Sequence, residues 1–207
     1  MKNKIATFDV DAQKGFTPLC PDELPVPGGD TIGGALNAMA LLGSVRIGSK
    51  DAHSANAVWV NQDRSQMAQP TGLVEAPLFW PRHCVVGTRG FELLDELPAT
   101  EDYDFFVHKG VEDHLHPFGA CYHDPSEKRT TGVIQFLKCE GVDTVIVGGL
   151  AYDYCVKSTA LQLAAAGFKV IVPLEACKAI SELTAAAATA EMTAAGIVIV
   201  DTIAELN

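Results

Sequence analysis

The segment Val145-Ile-Val-Gly-Gly-Leu-Ala-Tyr-Asp-Tyr-Cys-Val-Lys-Ser-Thr-Ala-Leu-Gln-Leu-Ala-Ala-Ala-Gly-Phe-Lys-Val170 decides the fold. Val145, Ile146 and Val147 form a short apolar, β-branched run that suits a buried strand. Gly148 and Gly149 break it. Helix-forming sequence follows, with Val156, Thr159, Ala160 and Leu163 at helical spacing, and Gly167 stops it. Cys155 therefore falls near the turn from a strand's C-terminal end into a helix, where open α/β sheets gather their ligands. Free N–H groups and the macrodipole of a helix N-terminus favour a thiolate there. Two readings of Cys155 stand at this level: an activated nucleophile, or the inert core thiol that most buried cysteines are.

Working outward, the same alternation recurs. Residues 4–10 read as a first strand that ends at Asp11. Residues 11–30 carry so many glycines and prolines that they read as a long loop, of a length often tied to function. Residues 31–43 suit a helix weakened by its glycines, and 44–50 a strand leading into Asp51-Ala52-His53. Residues 54–90 read as irregular, 91–97 as a short helix, and 103–107 as a strand ending at His108-Lys109-Gly110. A loop over 111–128 and a helix over 130–140 precede the opening segment. A strand at 168–173, a long Ala- and Thr-rich helix at 180–195 and a strand at 197–200 follow it. Six strands alternating with helices predict an α/β fold, a three-layer αβα arrangement with a mostly parallel, Rossmann-like sheet. A chain of 207 residues suits one domain over residues 1–207.

The net charge of −11 opposes nucleic acid or an anionic membrane as partner, since both call for a basic surface. No apolar run approaches the length of a membrane span. The six cysteines show no Cys-x-x-Cys pair and read as free thiols. Met1-Lys2-Asn3-Lys4 runs straight into the first strand without a signal-peptide core, so a cytoplasmic protein is expected.

Asp11, Lys109 and the Cys155 turn all fall at strand C-termini, which a parallel sheet brings to one edge. A carboxylate beside a thiol takes its proton, and a lysine ammonium stabilises the thiolate. Asp51, His53 and His83 form a second set, either three ligands for a zinc-like ion or a hydrogen-bonded cluster without metal.

Asp11-Ala12-Gln13-Lys14-Gly15-Phe16 resembles the Asp-x-Gln-x-x-Phe opening of the isochorismatase-like cysteine hydrolases. Three further segments resemble those of the nicotinamidases in that superfamily: Asp51-Ala52-His53, the run from Trp80-Pro81-Arg82-His83-Cys84 to Gly90, and Gly149 to Val156. The resemblance implies a small-amide hydrolase that converts nicotinamide to nicotinate and ammonia through a thioester on Cys155. Asp11 would be general base and acid, and Lys109 would hold the thiolate and Asp11. Ala151 and Cys155 N–H groups would form an oxyanion hole beside a cis peptide between Leu150 and Ala151. The spacing to Gln13 and Phe16 selects Asp11 over Asp9, and Asp9 is taken to point to the other side of the strand. Asp51, His53 and His83 would bind a divalent metal, Zn before Fe or Mn, that takes the pyridine nitrogen. Phe16 and Trp80 would sandwich the ring. Phe118 either closes the pocket or packs in the core.

The chain departs from the family pattern in two places. Asp51-Ala52-His53-Ser54-Ala55-Asn56-Ala57 lacks the tryptophan, the proline and the second histidine usual in that segment. His114, His116 and His123 read as solvent-exposed loop residues, with one of them replacing the missing ligand as the alternative. Tyr152 stands where the family has Thr, beside the expected oxyanion turn, and is expected to shape the substrate pocket. The rival functions are another amidase or a ureido or carbamoyl hydrolase, and a non-catalytic protein that kept the fold. The family also forms homo-oligomers.

Overall fold

The protein, as a computed structural model, is described over residues 4–206; Met1–Asn3, where the expected absence of a signal segment begins, and Asn207 lie outside that range. In chain order the elements are β1 (Ile5–Val10), α1 (Gly33–Ala40), β2 (Val45–Asp51), β3 (Pro70–Leu73), β4 (Ala76–Leu78), β5 (Phe105–Lys109), α2 (Val133–Cys139), β6 (Thr144–Gly149), α3 (Lys157–Ala165), β7 (Lys169–Pro173), α4 (Glu182–Ala194) and β8 (Val198–Val200). The main sheet has the order β5-β2-β1-β6-β7-β8, and each neighbouring pair is parallel. Strand order reverses between β1 and β6, which opens a crevice above their carboxyl ends.

Both faces of the sheet are buried. On one, Phe8, Val10, Ile47, Val145 and Val147 pack against Leu137 of α2, Leu163 of α3 and Met192 of α4. On the other, Ile146 and Ile171 pack against Leu36 and Met39 of α1. This is why the buried strands read as continuous apolar runs. Among the described residues no helix is long and apolar enough to cross a membrane.

Two stretches differ from expectation. Residues 54–90 contain the hairpin β3–β4, and 91–97 form no helix. Residues 92–94 instead pair with the loop after β1: Lys14 N–H donates to Glu92 O (2.9 Å), and Leu94 N–H donates to Ala12 O (3.0 Å). Those bonds across some 80 positions outweigh the weak helical preference of Leu93-Leu94-Asp95-Glu96.

The pleat argument for Asp9 also needs correction, because residues two apart on a strand share a face. Asp9 and Arg46 lie on the α1 side, whereas Asp11 meets Ser49. What separates the two carboxylates is Asp11 itself, which follows the last residue of β1 and takes a left-handed φ of 45°. Asp9 Oδ2 accepts from Arg46 Nη2 (2.6 Å) and Tyr103 Oη (2.9 Å), while its Oδ1 is buried without a partner. Burial outweighs Arg46 and pushes its carboxyl up to about 6. The folded state thus holds the Asp9 proton more tightly than the unfolded chain does. This contribution to stability is complete below pH 4 and is lost as the pH rises through about 6. Urea titrations should therefore show wild type losing stability relative to Asp9→Asn from pH 4 to 7, by up to about 3 kcal/mol. A constant difference over that range would contradict the assignment.

Candidate active site

The crevice collects side chains from four strand ends. Gly149 makes the fourth possible: its φ is 131°, and a Cβ there would lie 1.9 Å from Val10 O. Leu150 N–H then donates to that same carbonyl (2.9 Å), and the Leu150–Ala151 peptide is cis, as the resemblance implies. The helix does not start at once. Tyr152–Val156 form a π-helical turn, with Ala151 O accepting from Tyr154 and Val156 N–H (both 3.1 Å), and α3 continues from Lys157. Asp153 anchors this turn from below. Its carboxylate accepts from Ile180 N–H, Ser181 N–H and Thr184 Oγ at the start of α4.

Lys109, at the end of β5 and 0% exposed, joins the site. Its ammonium lies 2.9 Å from Asp11 Oδ2, donates to Asp51 Oδ1 and Pro117 O (3.2 Å), and reaches Cys155 Sγ at 3.7 Å. A carboxylate oxygen of Asp11, one of Asp51 and Cys155 Sγ all lie within 4.8 Å of one another. Gln13 ties the loop after β1 to the end of β2: its amide donates to Asp51 O (2.8 Å) and its carbonyl accepts from Asp51 N–H (2.7 Å).

Burial tends to neutralise each of these groups, and the pairing decides which stays charged. For Lys109, burial is outweighed by Asp11 and Asp51, so the ammonium is held well above its usual range. For Asp51, burial is outweighed by Lys109 and His53, so the carboxylate is held well below the usual range. Asp11 goes the other way: burial and the Asp51 charge raise it against Lys109 and Ser49. Cys155 is raised well above the ordinary thiol range by burial and by Asp11 and Asp51, despite the pull of Lys109. Burial thus works against the thiolate that a helix N-terminus favours, and the thiol sits beside a carboxylate whose raised pKa suits it to take the proton during reaction.

A second cluster sits across the crevice: Asp51, His53, His83 and His116 each offer one ligand atom, all within 4.8 Å. His53 Nδ1–H donates to Gly110 O (3.1 Å) and His83 Nδ1–H donates to Pro81 O (2.7 Å). A carbonyl only accepts, so in the neutral form of each ring the lone pair sits on Nε2, which faces Asp51. His53 Nε2 lies 3.3 Å from Asp51 Oδ2, and His83 Nε2 lies 4.0 Å from it. Burial and the nearby His53 push His83 down to about 3, and His116 is pushed well below its usual range for the same reasons. Both imidazoles are neutral, the form that ligates a metal.

His116 corrects the exposed-loop reading. It is 2% exposed, while His114 is exposed and His123 half-buried. Two long-range contacts hold it there: its N–H donates to Glu75 O in the β3–β4 turn (2.8 Å), and its ring stacks on Trp59 at 4.0 Å. His53 Nε2 and His116 Nδ1 are buried with no hydrogen-bond partner. Orphaned lone pairs beside a carboxylate fit a divalent cation, since leaving them unpaired costs about 1–3 kcal/mol each. His116→Ala should weaken divalent-metal binding at least about 10-fold in a chelator competition. Unchanged affinity would exclude His116 as a ligand.

Between the two clusters lies a cavity of about 270 Å³, counted with its open mouth. Phe16, Leu24, Trp80, Phe118, Tyr154 and Ile180 line it, together with Asp51, His83, His116, Ala151 and Cys155. Phe16 and Trp80 are on the cavity wall, and Phe118, for which the sequence leaves pocket and core open, lines it too. Tyr152, expected to shape the pocket, does not. Ala151, Tyr154 and Cys155 line the cavity, whereas Tyr152 packs into the core. There its hydroxyl pairs with Thr189 Oγ of α4 at 2.6 Å. Tyr154, Leu24 and Ile180 are absent from the sequence reading. Nothing local points to Tyr154, Leu24 or Ile180: Ala151 is extended and the turn after it is π-helical, so α-helical spacing does not sort the residues of this turn onto faces.

Comparison with known proteins agrees with this geometry. Residues 10–204 match the family described as Isochorismatase domain. The chain is 32% identical over 184 residues to a nicotinamidase of Acinetobacter baylyi, covering 86% of this chain and 83% of the relative. Its fold superposes on the solved nicotinamidase and pyrazinamidase of Acinetobacter baumanii with a TM-score of 0.87 at 29% identity, over 100% of both chains. It superposes on the pyrazinamidase of Pyrococcus horikoshii in complex with zinc with a TM-score of 0.76 at 28% identity, over 95% of this chain and 98% of that one.

Proposed function

This chain belongs to the isochorismatase family, and from that premise we propose that it is a nicotinamidase, hydrolysing nicotinamide to nicotinate and ammonia. One observation carries the reading: a thiol–carboxylate–ammonium set and a carboxylate–imidazole set face each other across one aromatic-lined cavity. The first set suits attack on an amide, and the second suits a ring nitrogen.

Asp51, His53, His83 and His116 are the residues that would hold a divalent metal, which we assign as zinc by analogy with the Pyrococcus neighbour. Such an ion supplies a Lewis-acid contact for the ring nitrogen when bound. The protein's own residues carry the steps. Asp11 Oδ2 takes the Cys155 proton as sulfur attacks the carboxamide carbon, so the charge separation is brief and is screened by Lys109. The N–H groups of Ala151 and Cys155 stabilise the oxyanion, each worth about 100- to 1000-fold in rate. Asp11 returns the proton to the departing nitrogen, and ammonia leaves a thioester. Asp11 then deprotonates water, which opens the thioester, and the proton goes back to sulfur. Phe16 and Trp80 flank the ring, and Phe118 and Tyr154 shield the mouth. We place this single domain of 207 residues in the cytoplasm, in salvage of pyridine nucleotides.

The test is ammonia release from nicotinamide with metal supplied. Activity that survives complete metal removal, or that prefers a ureido or carbamoyl compound, would favour the rival hydrolases.

A further inference from the structure

Ser49 has no part in the mechanism above, yet it is fully buried against the catalytic carboxylate. Its hydroxyl donates to Asp11 Oδ1 at 2.7 Å. Two bonds run the other way: Asp11 N–H points to Ser49 O (3.2 Å) and to Ser49 Oγ (3.3 Å). Asp11 needs such a tie. It lies beyond the last residue of β1, with a left-handed φ of 45° that a non-glycine residue adopts only when its surroundings hold it there. The carboxylate is thus partitioned. Oδ1 is occupied by a neutral hydroxyl from β2, whereas Oδ2 faces the Lys109 ammonium at 2.9 Å and is buried with no other partner.

We propose that Ser49 is a positioning residue for the general base: by holding Oδ1, it leaves Oδ2 as the oxygen that takes and returns the Cys155 proton. A carboxylate free to rotate about its Cα–Cβ and Cβ–Cγ bonds would also pair both oxygens with Lys109, and the acceptor would no longer face sulfur. Hydroxyl donation to Oδ1 stabilises one rotamer without adding charge; it draws the carboxyl down, but burial and the Asp51 charge still hold it raised. The inference rests on the proposed role of Asp11.

Ser49→Ala removes the donor with little change in volume. It should lower kcat for nicotinamide about 10- to 100-fold, the range expected for a misplaced catalytic group, with KM within about twofold and metal content unchanged. Ser49→Thr and Ser49→Cys both keep a donor, and at least one should recover most of the lost kcat. A kcat within twofold of wild type in Ser49→Ala would overturn the proposal. So would a loss confined to KM, a loss cured by added metal, or failure of both donor-bearing variants. Asp11→Asn separates the two levels: if that variant stays active, the role of Asp11 itself fails, whereas an inactive Asp11→Asn beside a normal Ser49→Ala overturns only the role of Ser49.

Discussion

Replacing Cys155 with Ala is expected to lower nicotinamide hydrolysis by about 10⁴- to 10⁶-fold, the scale seen when a covalent nucleophile is removed. The loss should fall in kcat. The groups that surround the ring, Phe16, Trp80 and the Asp51–histidine set, stay in place, so calorimetric binding of nicotinate should remain within a few-fold of wild type. Stability should shift by no more than about 1 kcal/mol, because sulfur is a small part of the buried face and Asp153 still anchors the turn. Activity within 100-fold of wild type would remove Cys155 from the mechanism. The other cysteines provide the control: Cys84, Cys121 and Cys177 are buried outside the cavity lining, and burial raises each of them. Cys121→Ala should leave turnover unchanged.

The second large effect concerns Lys109. It is the one cation in contact with both Asp11 and Asp51 among the described residues, and all three are buried. Lys109→Met keeps the stem and removes the charge. Two carboxylates then face each other without compensation, and breaking a buried pair in this way costs about 3–5 kcal/mol. Urea denaturation of the metal-free protein should show that loss at pH 8. The sign with pH follows from linkage. Without the ammonium the folded-state carboxyl pKa rises above its unfolded value, so the penalty is smallest at low pH and grows as pH rises through that raised value. The Lys109→Met penalty should therefore be smaller at pH 5 than at pH 8, and Asp11→Asn in the same background should recover part of the stability at pH 8. A loss under 1 kcal/mol at pH 8, or a penalty that shrinks with rising pH, would contradict the ion-pair geometry. Turnover should fall with it, since neither the carboxylates nor the thiol keeps its electrostatic partner.

The parts of this site that were legible in the sequence sit at element ends. Asp11 and Cys155 come after β1 and the β-branched run of β6, Asp51 and Lys109 are the last residues of β2 and β5, and parallel strands end on one edge whatever the details of packing. The Trp80–His83 run was legible as a motif, although it lies in a stretch with no periodicity. His116 was one of three histidines in one loop, and nothing in the local sequence separates it from His114. Its burial is the work of Trp59 and of Glu75 in a hairpin within a stretch that has no periodicity of its own.

The chain's sequence by itself determined the alternation of strands and helices, and with it the six-stranded parallel sheet and the crevice edge where Cys155 stands. Hydrophobic period and glycine breaks are local properties, so they survive without knowledge of the partners. Tertiary packing alone sets Tyr154 rather than Tyr152 against the cavity, brings His116 into the second cluster, and surrounds the Cys155 thiol with groups that raise it. Each of these depends on which groups from distant strands displace water around a side chain. Desolvation and charge pairing of that kind arise only once β1, β2, β5 and β6 are side by side.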